Sequence, residues 1–222
     1  MKATAIISQI IDGQGFYTFT PFAQTYLLEK RKITECEIEI ADGRTISPTQ
    51  RKHIYATLND IAAWTGYVGE QVKAIMKYEY IAKTGADYFS LSDCNMTVAR
   101  EFLTFLIEFC LENDIPTSEN LLDRSPDIGR YLYACLVNKK CCLTGEKAEI
   151  HHIDAVGAGR NRKEIVHRGM RVLPLCRTKH MEIHTIGRDT FCKKYHVFGI
   201  VLVAYLCEKL KLKGYKHEIF YL

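Results

Sequence analysis

Residues 148–162 read AEIHHIDAVGAGRNR and residues 172–187 read VLPLCRTKHMEIHTIG, and the order of elements in them decides the fold of the C-terminal part. Ala148 to His152 is predicted as a short strand. Gly157-Ala158-Gly159-Arg160-Asn161-Arg162 is a Gly-rich loop, Met170 to Leu175 a second strand, and residues 178–186 a helix. His180 and His184 stand four apart, so both imidazoles leave one face of that helix and can reach one ion. His151 and His152 are neighbours on a strand and point in opposite directions. One of them can therefore join the helical pair while the other faces away as a base.

The charge distribution sets these residues in a basic environment. The chain has 222 residues and a formal net charge of +4. Residues 1–139 carry 14 Lys and Arg against 18 Asp and Glu, a net of −4, and residues 140–222 carry 16 against 8, a net of +8. A small basic part of this kind suits a polyanion. Seven of the eight histidines also fall after residue 150. Composition thus divides the chain near residue 140.

The remaining signals bound the class. Apolar content of 47% is that of a globular protein. No apolar run is long enough for a transmembrane helix. The opening MKATAIISQIIDGQGF reads as a first strand rather than a signal peptide. Nine cysteines without an export signal are expected as reduced thiols, placing the chain in a cytoplasm.

Residues 2–10 and 14–19, separated by Asp12-Gly13, are expected as a hairpin, and residues 34–40, TECEIEI, as a half-buried strand ending at the turn from Ala41 to Arg44. Ser47-Pro48 opens a helix to about Trp64, stopped by Gly66. A second helix is expected over 68–80, and a short strand over Tyr88-Phe89-Ser90-Leu91. A strongly amphipathic helix runs from Thr97 to Glu112. Residues 117–125 read as a linker and Pro126 to Val137 as a helix. Further helices are expected at 188–194 and about 199–212.

The histidine segment, from AEIHHIDAVGAGRNR through VLPLCRTKHMEIHTIG, resembles the HNH (ββα-metal) nucleases, especially the HNH domains of phage proteins. The resemblance covers roughly residues 141–196. It implies a metal-dependent endonuclease in which His152 is the general base and His151, His180 and His184 hold a divalent ion. In that family an Asn often orients the base. His167 or Asn161 is the candidate for that place here, and Asp154 is a candidate extra ligand or orienting group. Magnesium, manganese, zinc and nickel are all candidate ions, and an all-imidazole set favours a transition metal. Arg160 and Arg162 are expected to clamp the nucleic-acid backbone, with Arg177 beside them.

Many HNH domains carry a zinc knuckle of two CxxC pairs. Here Cys142-Leu143-Thr144-Gly145 and Cys176-Arg177-Thr178-Lys179 each keep one cysteine and lose the other, which excludes a four-cysteine site at these positions. Cys142 and Cys176 are either ligands of a mixed site or buried residues that pack.

In the N-terminal half, SPTQRKHIYATLNDIAAWTG and FSLSDCNMTVAREFLTFLIEFCLENDIP resemble the Orf (NinB) recombination mediators of lambdoid phages, over roughly residues 35–117. That resemblance implies a toroidal homodimer that binds single-stranded DNA and acts with the host single-strand-binding protein. It would place Arg44, Gln50, Arg51 and Lys52 at a helix N-terminus that contacts phosphate.

The expectation is an α+β chain. It combines a small N-terminal antiparallel sheet with helices and a C-terminal ββα-metal (HNH) domain with flanking helices. Residues 1–120 would form the mediator domain, 121–139 a linker and helix, and 140–222 the nuclease. The expected function is a phage recombination protein that binds single-stranded or branched DNA and cuts it. The alternative is a non-enzymatic mediator whose C-terminal histidines hold a structural zinc. A homing or restriction enzyme is the third reading, disfavoured because no sequence-reading module is visible.

Overall fold

The computed structural model describes residues 4–11, 14–20, 30, 32, 43–154 and 165–212. It contains two compact units, residues 1–42 and 43–222. In the first, β1 (Thr4–Ile11) and β2 (Gln14–Thr20) form the expected antiparallel hairpin, with a register shift between Ile7 and Gln9. The strand expected over 34–40 lies outside the described residues.

The second unit begins with α1 (Pro48–Thr65). Its start follows from the sequence: Pro48 occupies the first turn, the Ser47 hydroxyl accepts from the Gln50 amide at 3.1 Å, and Gln50 Oε1 accepts from the Ser47 amide at 3.0 Å. This capping box satisfies donors that the first turn would otherwise leave open. Gly66 ends the helix at φ +77°, a left-handed conformation that suits glycine. α2 covers Gly69–Thr84, longer than expected, and α3 covers Met96–Glu112. α3 packs against α1, α2 and a later helix, which explains why Ala99, Phe102, Leu103, Leu106, Ile107 and Cys110 are all buried. Each such large apolar side chain contributes about 1.5–3 kcal/mol. Tyr80, Phe89, Phe102 and Phe105 pack as an aromatic cluster with centroids 5.2–6.4 Å apart.

The short strand expected at Tyr88–Leu91 is not formed. Residues 85–90 are irregular and a turn follows at 91–93. Two local interactions displace a ladder. Ser90 and Ser92 hydroxyls bond each other at 2.8 Å, and Arg51 takes the carbonyls of Leu91 and Ser92 at 3.0 and 2.6 Å.

The expected linker over 117–125 is also corrected. It contains a single helical turn, α4 (Leu121–Arg124), and Arg124 is only 1% exposed. Its guanidinium donates to Asp60 at 2.6 Å, Thr57 at 3.3 Å and Ser118 at 2.9 Å, tying the segment to α1. One hydrophobic core continues from Ile46 through Tyr131 and Leu173 to Val197. The compositional step near residue 140 is therefore a change of charge within one packed unit, not a break in packing.

After α5 (Ile128–Val137), a three-stranded antiparallel sheet is built in the order β3 (Glu149–His152), β4 (Arg171–Leu175), β5 (Ile200–Val201). α6 (Arg177–Ile186) and α7 (Arg188–Tyr195) stand between β4 and β5. The long helix expected over 199–212 is replaced by β5 and the short α8 (Ala204–Lys209). The β-branched pair Ile200-Val201 adds to β4 instead, opposite Val172 and Arg171. Gly199 permits that approach, since a Cβ there would sit 2.8 Å from Arg171 Cβ. The α+β class and the ββα core are as expected. No helix among the described residues is long and apolar enough to cross a membrane, and all eight described cysteines are free thiols.

Candidate metal centre

β3 and α6 bring three imidazoles together. In β3, His151 pairs with Leu173 and His152 with Val172, so the two histidines take opposite faces of the sheet. His151 is 7% exposed and faces α6. His180 and His184 lie one turn apart on α6, their ring centroids 5.0 Å from each other and 4.8 and 5.0 Å from that of His151. One ligand nitrogen from each ring falls within 4.8 Å of the others. Small ring rotations would bring such a set to the roughly 2.0–2.1 Å bonds of a nitrogen-ligated ion.

A carboxylate stands behind this cluster. His180 Nδ1 is 2.8 Å from Glu149 Oε2, which leaves Nε2 to turn toward the other imidazoles. The same bond, with Arg177 3.5 Å away, holds the Glu149 carboxyl below its usual range. Metal-ligating histidines are commonly oriented in this way, so the residues present fit a divalent ion. Glu149 escaped the sequence reading, although a signal exists: it precedes His151 by two residues on a strand and so shares its face.

On the other face, His152 Nε2 lies 2.9 Å from Nδ1 of His167, which is 5% exposed. Of the two candidates for an orienting group, His167 is the one placed beside His152. Asn161 lies outside the described residues, as do Arg160 and Arg162.

Other expected site residues are engaged elsewhere. Asp154 accepts from the Arg171 amide at 2.6 Å and from its guanidinium at 2.6 and 3.0 Å, which holds its carboxyl below the ordinary range. It is not among the groups that converge with His151. Cys142 and Cys176 are buried and also lie outside the imidazole cluster. Burial pushes the Cys142 thiol far up. At Cys176 burial acts in the same direction, but hydrogen bonds from the Thr178 hydroxyl and the Lys179 amide outweigh it and the net shift is downward. Both lie buried near the start of α6.

Gln50 is tied into the start of its own helix. Its Oε1 caps α1 and its Nε2 donates to the Met96 carbonyl at 3.1 Å. Arg51 is held in place by the 91–92 carbonyls, which take two of its five N–H groups. Lys52 and Arg44 are exposed, and the Arg44 carbonyl accepts from the Met96 amide at 3.1 Å. Arg177 is exposed beside Glu149.

Two β-strands and a helix bring three histidines together, with a fourth histidine on the opposite strand face, an arrangement compatible with a metal site of the HNH type. The chain belongs to the family described as "Putative HNHc nuclease", whose model matches residues 22–214. It is thus a member of a nuclease family, in which a divalent ion is the usual requirement. No curated protein and no solved structure shows a significant match.

Proposed function

We propose that the chain is a metal-dependent endonuclease that hydrolyses phosphodiester bonds in DNA, with His152 as general base. The convergence of His151, His180 and His184, with Glu149 behind His180, carries this reading. A divalent ion held by those three imidazoles supplies positive charge against the negative charge that builds up on the phosphate.

The chain's own groups perform the proton transfer. With a proton on Nε2 donated to His167, Nδ1 of His152 is the nitrogen that accepts. It takes a proton from water as the water oxygen bonds to phosphorus. The bond from phosphorus to the 3′-oxygen breaks, and that oxygen takes a proton from solvent. The products are a 5′-phosphate and a 3′-hydroxyl. His167 holds the ring of His152 in one orientation throughout.

Three protein ligands support a catalytic site over a structural zinc, since structural sites are usually closed by four protein ligands. An all-imidazole set suits zinc, nickel or another transition ion better than magnesium. The finer reading is a phage recombination protein, acting in a bacterial cytoplasm on single-stranded or branched DNA. It would work as a homodimer beside the host single-strand-binding protein. That reading rests on the likeness of residues 35–117 to the recombination mediators.

The test is cleavage of labelled single-stranded, duplex and branched DNA in chelator and then with magnesium, manganese, nickel or zinc. Cutting that needs an added ion supports the reading. Tight DNA binding without cutting under any ion overturns it in favour of a mediator.

A further inference from the structure

A second feature, sharing no residue with the histidine cluster, sits where α1 and α2 meet the turn before α3. A cavity of about 380 Å³ is lined by Arg51 and Tyr55 of α1, Lys73 and Lys77 of α2, and Tyr88, Ser90, Leu91 and Ser92. Its size is within the usual range of ligand sites, about 300–1,000 Å³. Three of these residues are cationic and none is acidic.

The cations are not equivalent. Lys73 pairs with Glu70 at the rim, and Arg51 is fixed by the carbonyls of Leu91 and Ser92. Lys77 is 8% exposed, yet its ammonium lies 4.1 Å from the Tyr88 ring centroid and 4.9 Å from that of Phe89. Among the described residues no ion pair engages it. A buried ammonium held by ring faces and aimed into a cavity is a strong attractor for an anion. Tyr88 itself is 73% exposed, so one face of its aromatic wall is open to solvent.

We infer that this cavity binds a nucleotide of single-stranded DNA, with its base against Tyr88 and Tyr55 and its phosphate at Lys77 and Arg51. This rests on the nuclease reading for its choice of polyanion. Fixed cations beside exposed rings are the combination by which single strands are held, because every base has a face that can stack. A duplex keeps its bases stacked on each other and cannot offer one to Tyr88. The open side of the cavity lets the strand continue past it, as a free nucleotide would not require. The site includes Arg51 from the helix start where the sequence placed phosphate contacts, and Gln50 there caps α1.

The test uses the full chain carrying His152→Ala, in chelator, so that cleavage plays no part. Binding of a short fluorescein-labelled oligothymidylate and of a duplex is followed by fluorescence anisotropy across a salt series. Tyr88→Ala should weaken oligothymidylate binding on the order of ten-fold, and Tyr88→Trp should restore it. Lys77→Met should weaken it and flatten the slope of log affinity against log salt by about 0.7, one phosphate contact's worth. Duplex binding should respond to neither tyrosine variant. Because Lys77 is packed, its variant is compared with the exposed Tyr88 variants, all with unchanged melting temperature. If Tyr88→Ala binds the oligomer as the parent does, or the duplex is affected equally, the inference is wrong. That result would leave the nuclease reading standing, since cleavage by the parent chain is measured separately.

Discussion

His152 Nε2 and His167 Nδ1 lie 2.9 Å apart, although fifteen residues separate them in the chain. His167 is buried and His152 half-buried, so the pair joins a fixed ring to one that can meet water. In the mechanism proposed above, His167 positions the base. His167→Ala should therefore lower kcat for DNA cleavage by about a hundred-fold with KM little changed, and metal content should stay that of the parent. His167→Asn, which can still accept a hydrogen bond, should recover part of the loss. Steady-state kinetics with metal analysis check this, and an unaltered kcat would remove His167 from the mechanism.

In the proposed site Glu149 would act through His180, whose Nδ1 lies 2.8 Å from its carboxylate. Glu149→Gln keeps the size of the side chain but removes its charge from His180 Nδ1, and the ion should then bind about 10–100-fold more weakly. Titration of the metal-free chain with zinc or nickel, followed calorimetrically, measures the change. Equal affinity in parent and variant would show that Glu149 holds only the surface around Arg177.

Burial of Arg124 makes the segment after α3 a stability element. Its side chain is inaccessible and pairs with Asp60 at 2.6 Å. Asp60→Ala removes the nearer and more buried of its two carboxylate partners, leaving the exposed Glu119 at 3.5 Å, and should cost about 3 kcal/mol. Denaturant unfolding at fixed pH should show a lower midpoint with the same slope. A loss under about 1 kcal/mol, as for an exposed pair, would mean that Arg124 is solvated in solution.

Much of the site was legible because it lies on regular elements. The i, i+4 spacing of His180 and His184 and the alternation of His151 and His152 gave the right faces, since helix and strand periods fix side-chain direction. The partners of those residues were less legible. His167 reaches His152 from fifteen positions along the chain, and Asp154 is claimed by Arg171, neither of which local periodicity encodes. Gln50 was ambiguous for a related reason: a polar residue in the first helical turn suits both a phosphate and a capping box, and its return bond to Ser47 is visible only in the structure. The mistaken linker at 117–125 followed from its polar composition, because a buried Arg124 and its partners read as a solvated stretch. Ile200 and Val201 were absorbed into a helix because two residues are too few to show a strand's alternation.

The buried thiols should be chemically silent. Burial pushes Cys110 and Cys135 up to about 12, so their thiolate fraction at neutral pH is negligible. Native protein treated with iodoacetamide near pH 7.5 should remain unmodified at both positions, and both should react after denaturation. Rapid native labelling at Cys110 or Cys135, read by peptide mass spectrometry, would show that the core around α3 and α5 opens readily.

The most direct test of the central claim pairs cleavage with metal content in the parent and His152→Ala chains, both loaded with the ion that supports the fastest cutting. The account predicts that His152→Ala binds the ion as the parent does and loses cleavage by several orders of magnitude. Cleavage retained in the variant would contradict His152 as the base, and metal lost with it would place His152 among the ligands instead.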